Sequence, residues 1–451
     1  MQISFWGATG TVTGSKYLLE FQNKKILIDC GLFQGERTLR ERNWAPLPIS
    51  PTAIDAVILT HAHLDHSGYL PLLVKQGFKG PIYATPGTQQ LCRILLPDSG
   101  HIQEEDAFFA NKHGFSRHHP ALPLYTLEDA EKVIPQFVSI PYDEVKELAP
   151  GCHFRLIRSA HILGSSFVHM QTEGRSILFS GDLGRQQDPI MQTPALPIAA
   201  DYLVLESTYG DRLHPATSPE DQLAEVINTT AARGGTVVIP AFAVGRTQSI
   251  LYYISQLQQK RRIPQLPIYL DSPMAESVTD IYAQYLHERC LDQKTCIHLK
   301  NICTYVTSVE DSQRLDQSPY PAVIISASGM ATGGRVLHHL KAFAGGERNT
   351  ILFAGYQARE TLGERLISGA KEVKIHGQTV KVRAEVKTIS NLSAHADAGE
   401  TLSWLRHFKK IPQTTFITHG EPGPAEALKQ KITQELGWHS VVPQYLETVK
   451  L

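Results

Sequence analysis

A chain of 451 residues is long enough for two or three domains with substantial cores. Its 42% apolar and 19% charged content belongs to a soluble globular protein and excludes disordered or fibrous classes. A formal net charge of -1 excludes a protein that coats nucleic acid through bulk positive charge, but leaves room for an enzyme that grips a few phosphates locally. No run approaches the roughly 18 apolar residues of a membrane span. Met1 to Gly7 lacks the basic-then-apolar pattern of a secretory leader. The six cysteines (30, 92, 152, 290, 296 and 303) form no C-x-x-C pair and read as reduced thiols of a cytoplasmic protein.

The first 30 residues predict strands joined by Gly-rich turns: Gln2 to Trp6, Lys16 to Phe21, and Lys25 to Cys30. Next, Ala56-Val57-Ile58-Leu59 leads into His61-Ala62-His63-Leu64-Asp65-His66, and Ser67 to Leu73 reads as a helix start. Four metal-competent side chains therefore crowd a strand-to-helix loop, where they can converge on one point. His61 and His63 alternate in extended backbone and Asp65 and His66 lie past the bend, a spacing that suits two adjacent ions. With 20 His in 451 residues, chance gives such a run on the order of once in several hundred chains.

Further strands are predicted at Pro81 to Ala84, Phe154 to Ile157, Ser176 to Ser180 and Tyr202 to Leu205, and a helix capped by Ser218 over Ser218 to Ala232. Thr236 to Pro240 and Ala322 to Ser326 are continuous apolar runs, each followed by a Gly-containing turn and a helix pattern, as in a parallel α/β sheet. Thr379 to Lys387 alternates and predicts one half-exposed strand with Lys381, Arg383 and Lys387 outward. Internal repeats and low-complexity tracts are absent from the sequence. Metal-competent residues recur at strand ends or Gly-marked turns: Asp29, His161, Asp182, Glu206, His395 with Asp397, and His419. Singly, each also reads as a turn, cap or buried structural residue.

Taken in order, these segments resemble the metallo-β-lactamase superfamily and, within it, the β-CASP nucleases. Asp29, the His61 to His66 run, His161 and Asp182 match the superfamily motifs. Glu206, Ser393-Ala394-His395-Ala396-Asp397 and His419 match the three extra β-CASP motifs. Ile239 to Gln248, and Ser326 to Met330 with Gly333-Gly334-Arg335, are similar to the family's inserted domain. The resemblance implies an α/β fold, a metallo-β-lactamase αββα sandwich with an inserted α/β β-CASP domain. The implied domains are residues 1–209, an insertion at 210–389, and a return at 390–451. It also implies two Zn2+ per chain: one on His61, His63 and His161, the other on Asp65, His66 and His419, with Asp182 bridging and Asp29 orienting a ligand histidine. An all-N/O ligand set without Cys suits a hydrolytic zinc site.

The implied activity is a zinc-dependent ribonuclease, endo- or 5′-exonucleolytic, that leaves 5′-phosphate and 3′-hydroxyl ends on single-stranded RNA. Asp65, His395 and Glu206 are the implied catalytic residues, with His395 as proton donor and Glu206 as its holder. Arg246 after Gly245 suits phosphate binding, as do Ser326, Ser328, Gly329 and Ser393, against ordinary cap and turn chemistry. RNA is expected over DNA because the RNA-acting branch carries His at the last motif, as at His419, where the DNA-repair branch carries Val. The cluster His113, Arg117, His118, His119 reads as a solvated loop or an RNA entrance, and Lys260-Arg261-Arg262 as a solvated helix end. The chain ends 32 residues after His419 and is similar to compact members related to the pre-mRNA cleavage subunit, with no added N- or C-terminal domain. The alternatives are a thioester or lactone hydrolase, a DNA nuclease, and a catalytically dead RNA-binding subunit. A homodimer is left open.

Overall fold

The structure, a computed structural model, describes residues 1–114, 116 and 118–451, without the side chains of Leu286, Cys296 and Ile297. Arg117 and the thiol of Cys296 therefore lie outside the described residues. The chain forms two compact units: 1–188 with 192–213 and 395–451, and 189–191 with 214–394. The sequence boundaries at 209/210 and 389/390 fall four and five residues earlier.

The first unit is built on two seven-stranded sheets. One runs Thr448–Lys450, Gln2–Phe5, Tyr17–Phe21, Lys24–Ile28, Ala56–Ile58, Ile82–Ala84, Phe137–Ser139. The other runs Ser440–Val441, Thr414–Thr418, Tyr202–Glu206, Arg175–Phe179, Ser166–Thr172, Cys152–Arg158, Lys146–Ala149. Between the sheets lies a core of Ile3, Phe5, Ile26, Ile28 and Ile58 against Phe154, Val168, Phe179, Val204 and Phe416. The alternate residues Phe167, Leu178, Leu203 and Leu205 face outward onto Leu402, Trp404 and Leu428 of the helices Ala398–Leu405 and Pro422–Lys431. Period-two burial on both faces thus makes a helix-covered sandwich. Tyr202–Glu206 and Thr414–Thr418 pair in parallel, Glu206 opposite Thr418, so the last segment of the chain supplies an interior strand of this sheet.

The sequence reading named no helix at Pro86–His113, which runs 28 residues with Pro97 inside it. Its apolar side is short, and Pro97 and Gly100 interrupt any regular pattern. Thr85 and Thr88 hydroxyls donate to Gly164 O at its start, at 2.6 and 2.8 Å. His113 ends it, and His118 and His119 are exposed.

The second unit holds a six-stranded, wholly parallel sheet: Thr304–Tyr305, Ile268–Asp271, Val323–Ser326, Val237–Pro240, Thr350–Phe353, Glu385–Thr388. Val237, Ile239, Val323 and Leu352 pack on one helical layer with Ile227, Ile250 and Ile254, while Val238, Ile324, Ile351 and Phe353 pack on Val336, Leu340 and Phe343. Burial on both faces explains the unbroken apolar runs. The helix Pro219–Ala232 is capped by Ser218, whose hydroxyl accepts from Asp221 N. Lys260 and Arg262 close the next helix as exposed partners of Glu220.

One expectation fails. Thr379 to Lys387 is not a single strand: Gln378–Lys381 pairs in a hairpin with Glu372–Ile375, and Glu385–Thr388 joins the parallel sheet. Between them, Val382 N donates to Lys371 O, and Arg383 and Ala384 N to Ala344 O, which turns the backbone while the apolar alternation continues. Among the described residues no helix is long and apolar enough to cross a membrane, and Cys30, Cys92, Cys152, Cys290 and Cys303 form no disulfide.

Candidate metal centre

All the residues expected to hold metal stand at one edge of the first unit. Asp29 follows Lys24–Ile28, His61 and His63 follow Ala56–Ile58, and Asp65 and His66 occupy the short helix Leu64–Ser67. The helix thus begins inside the motif, three residues before the expected start at Ser67. His161 follows Cys152–Arg158, Asp182 follows Arg175–Phe179, Glu206 ends its strand, and His419 follows Thr414–Thr418. Asp29 and His419 have positive φ (58° and 48°), a strained conformation for residues with a Cβ. Hydrogen bonds from their amides to Ile58 O (3.0 Å) and Ala8 O (2.7 Å) hold them there. At Gly31 a Cβ would overlap the carbonyl oxygen of Asp65, so only glycine lets this loop lie against the motif helix.

The side chains gather into two groups. His61 Nε2 and His161 Nε2 lie 3.1 and 3.3 Å from His63 Nδ1, and each lies 3.4 Å from Asp182 Oδ2. His66 Nε2 and His419 Nε2 are 3.0 Å apart, with Asp65 Oδ2 3.4 Å from His419 and Asp182 Oδ1 3.3 Å from His66. Zinc–nitrogen bonds of about 2.0–2.1 Å at tetrahedral angles separate ligand atoms by about 3.3 Å. The spacings therefore fit a metal at the centre of each group. Asp182 is 2% exposed, turns one oxygen to each group, and its Oδ1 accepts no hydrogen bond. A buried carboxylate oxygen without a donor suits a cation.

Outer contacts orient these rings. Asp29 Oδ2 lies 2.7 Å from His66 Nδ1, and both Asp29 oxygens accept from the Thr60 hydroxyl. Thr208 Oγ1 donates to Glu206 Oε2 at 2.6 Å and lies 3.2 Å from His419 Nδ1. The sequence reading missed Thr60 and Thr208; their only signal was adjacency to His61 and Glu206. His395 Nδ1 lies 2.9 Å from Glu206 Oε2 and 3.9 Å from Asp182 Oδ2. Leu183 N donates to the other Glu206 oxygen, and Ala396 N to Leu183 O, so His395 and Glu206 are tied to the segment bearing Asp182.

Burial pushes the His61 imidazole well below its usual range and His63 down to about 4, the neutral form a ligand needs. Burial alone would raise Asp182, but His419, His66 and His61 hold it well below the usual carboxylate range. His66 is raised well above the ordinary value because Asp182, Asp29 and Asp65 outweigh its burial. For His395, burial is outweighed by Glu206 and Asp182, and its pKa rises to about 9.

The expected phosphate-binding residues belong to the second unit. Arg246 opens the helix Arg246–Gln259 after Gly245. Ser326 is fully buried and its hydroxyl donates to Asp271 O at 3.0 Å. Ser328 Oγ accepts from Thr332 N at 3.0 Å, Gly329 packs under Phe242, and Ser393 is buried with its amide donating to Ser390 O.

Comparison with known families and proteins bears on this geometry. Residues 9–223 match the metallo-β-lactamase superfamily, 247–366 the β-CASP domain, and 379–443 the "Zn-dependent metallo-hydrolase RNA specificity domain". The chain is 37% identical over 430 residues to a Thermus thermophilus protein named Ribonuclease TTHA0252, covering 93% of each. It is 32% identical over 470 residues to the Methanosarcina mazei protein named transcription termination factor FttA, covering all of this chain and 72% of that one. Among solved structures, a protein of unknown function from Enterococcus faecalis V583 superposes with a TM-score of 0.56 at 13% identity, covering 100% of this chain and 99% of that one, a likeness of fold alone.

Proposed function

The chain belongs to the β-CASP family of the metallo-β-lactamase superfamily, and from that premise we propose that it is a zinc-dependent ribonuclease. It hydrolyses phosphodiester bonds in single-stranded RNA and leaves 5′-phosphate and 3′-hydroxyl ends. The family implies a divalent metal; the reading here is two zinc ions, one held by His61, His63 and His161, the other by Asp65, His66 and His419, with Asp182 shared. Bound there, zinc supplies Lewis-acid polarisation of a phosphoryl oxygen and activates water near neutral pH.

The observation that carries the reading is the 2.9 Å contact between His395 Nδ1 and Glu206 Oε2 beside Asp182. A ribose 3′-oxygen is a poor leaving group and needs a proton as the P–O bond breaks. His395, kept protonated by Glu206, holds that proton at Nε2. Asp65 lends a carboxylate to the second group. Arg246, Ser328 and Gly329 bind flanking phosphates, and Ser326 and Ser393 shape the turns around them. A relative named a ribonuclease and a segment described as an RNA specificity domain both favour RNA. The reading includes a cytoplasmic setting, which keeps thiols reduced.

The test is a 5′-labelled single-stranded RNA incubated with the zinc-loaded protein, His395→Ala and Asp182→Ala. Cleavage by the parent, strongly reduced in both variants, is expected. Cleavage that survives both substitutions rejects the mechanism. Turnover of a thioester without any RNA cleavage would favour a small-molecule hydrolase.

A further inference from the structure

In the second unit, Asp271 stands at the carboxyl end of the strand Ile268–Asp271, next to the edge of the parallel sheet and opposite Ser326 in the register, with its side chain fully buried. Every acceptor it has is occupied. Its Oδ1 accepts from Arg335 Nη1 at 2.7 Å; its Oδ2 accepts from His339 Nε2 at 2.7 Å and from the Ser312 hydroxyl. Its backbone oxygen accepts from Ser326 Oγ. His339, also fully buried, meets a second carboxylate through Nδ1, 2.6 Å from Asp316 Oδ1. An imidazole donating from both nitrogens is a cation. Two carboxylates, one imidazolium and one guanidinium therefore balance.

Arg335 also donates to Val306 O (3.0 Å) and Thr307 O (2.6 Å), the residues after the edge strand Thr304–Tyr305. The network thus ties three neighbouring strand ends to the helices Val309–Asp316 and Val336–Phe343. Residues 327–335 are the turn suspended between these anchors. Its far side is fixed as well: Gln357 Nε2 donates to Gly329 O at 3.0 Å, and Gly363 N to Met330 O at 3.2 Å.

A buried ionic cluster of this kind contributes little net stability, and an apolar replacement of similar volume is often neutral or stabilising. Geometry is what it supplies. In open parallel sheets, ligands bind beyond the carboxyl ends of the strands, where this turn lies. We propose that Asp271, His339 and Arg335 are positioning residues that hold the 327–335 turn in the shape that receives a phosphate of a polynucleotide backbone. This rests on the ribonuclease reading above.

The experiment compares the zinc-loaded parent with His339→Gln, Asp271→Asn and Arg335→Lys on two substrates, a single-stranded 20-mer RNA and bis(p-nitrophenyl) phosphate, which has no flanking phosphates. Loss of positioning raises KM for RNA about tenfold in His339→Gln and Asp271→Asn while kcat on the small diester stays within about twofold. Arg335→Lys, which keeps the pairing with Asp271 and loses the fork to Val306 and Thr307, has an intermediate KM. A fall in melting temperature with both KM values unchanged would make the network purely structural and overturn the proposal. So would a parallel loss of both activities. If the parent itself turns over the diester and leaves RNA intact, the ribonuclease reading falls, and this proposal with it.

Discussion

Asp29 sets the direction in which His66 points. The 2.7 Å contact between Asp29 Oδ2 and His66 Nδ1 turns the opposite nitrogen, Nε2, toward His419 and Asp182. A ligating imidazole must be unprotonated on the metal side, so the proton belongs on Nδ1, where a carboxylate accepts it. Asp29→Asn keeps the volume and the Thr60 contacts but presents an amide N–H to Nδ1, which favours the wrong tautomer. Zinc affinity, read by competition with a chromophoric chelator, is expected to drop about 10- to 100-fold with little change in fold. Unchanged zinc retention in Asp29→Asn would remove Asp29 from the site.

His395 and Glu206 make a prediction that depends on the leaving group. His395→Ala is expected to slow RNA hydrolysis by about 10²- to 10⁴-fold, the range for loss of a positioned proton donor. A p-nitrophenolate leaving group is stable as an anion and needs no proton. Bis(p-nitrophenyl) phosphate turnover should therefore fall far less. Glu206→Gln should follow His395→Ala in direction with a smaller effect, since the imidazole remains but loses its anionic partner. Equal losses on both substrates would show that His395 acts in metal binding or folding rather than in protonation.

How much of this was legible depended on how local each signal is. The run His61 to His66 announces itself within six residues, and the strand-end positions of Asp182, Glu206 and His419 follow from apolar runs ending in a polar residue. The convergence of His419 on His66, 353 positions apart, could be read only through family order, because nothing local ties the strand Thr414–Thr418 to Tyr202–Glu206. Thr60 and Thr208 stayed hidden because a hydroxyl beside a motif is too common to single out. The Asp271–His339 contact spans 68 positions between residues with no pattern of their own. The 379–387 stretch misled for a physical reason: its side chains go on alternating between core and solvent while its hydrogen bonds pass from hairpin to loop to sheet.

Gly31 offers a test of the scaffold that needs no RNA substrate. A methyl group there would meet the Asp65 carbonyl, which is fixed by a 2.8 Å hydrogen bond from Ser15 N. Neither backbone can yield without moving the motif helix. Gly31→Ala is expected to lower stability by about 1–3 kcal/mol, as overpacking against fixed groups does, and to reduce zinc content as well. Thermal unfolding and metal analysis of the same preparation check both. A stable variant with full zinc content would mean the loop can slide away from Asp65.

The last prediction concerns pH. Burial opposes charge on His339, but hydrogen bonds and charges from Asp271 and Asp316 outweigh it and raise its pKa from 6.5 to about 9. The other groups facing the ring's partners are Arg335 and the Ser312 hydroxyl. Because the folded value lies above the unfolded one, the stabilisation is complete below pH 6.5 and declines as the pH rises toward 9, where the folded imidazole also loses its proton. A shift of this size corresponds to about 3 kcal/mol between those limits. Urea unfolding between pH 6 and 10 should show the second unit weakening over that window, with the slope reduced in His339→Gln, whose amide carries no proton to lose. Parallel curves for parent and variant would mean the imidazole does not carry its charge between the two carboxylates.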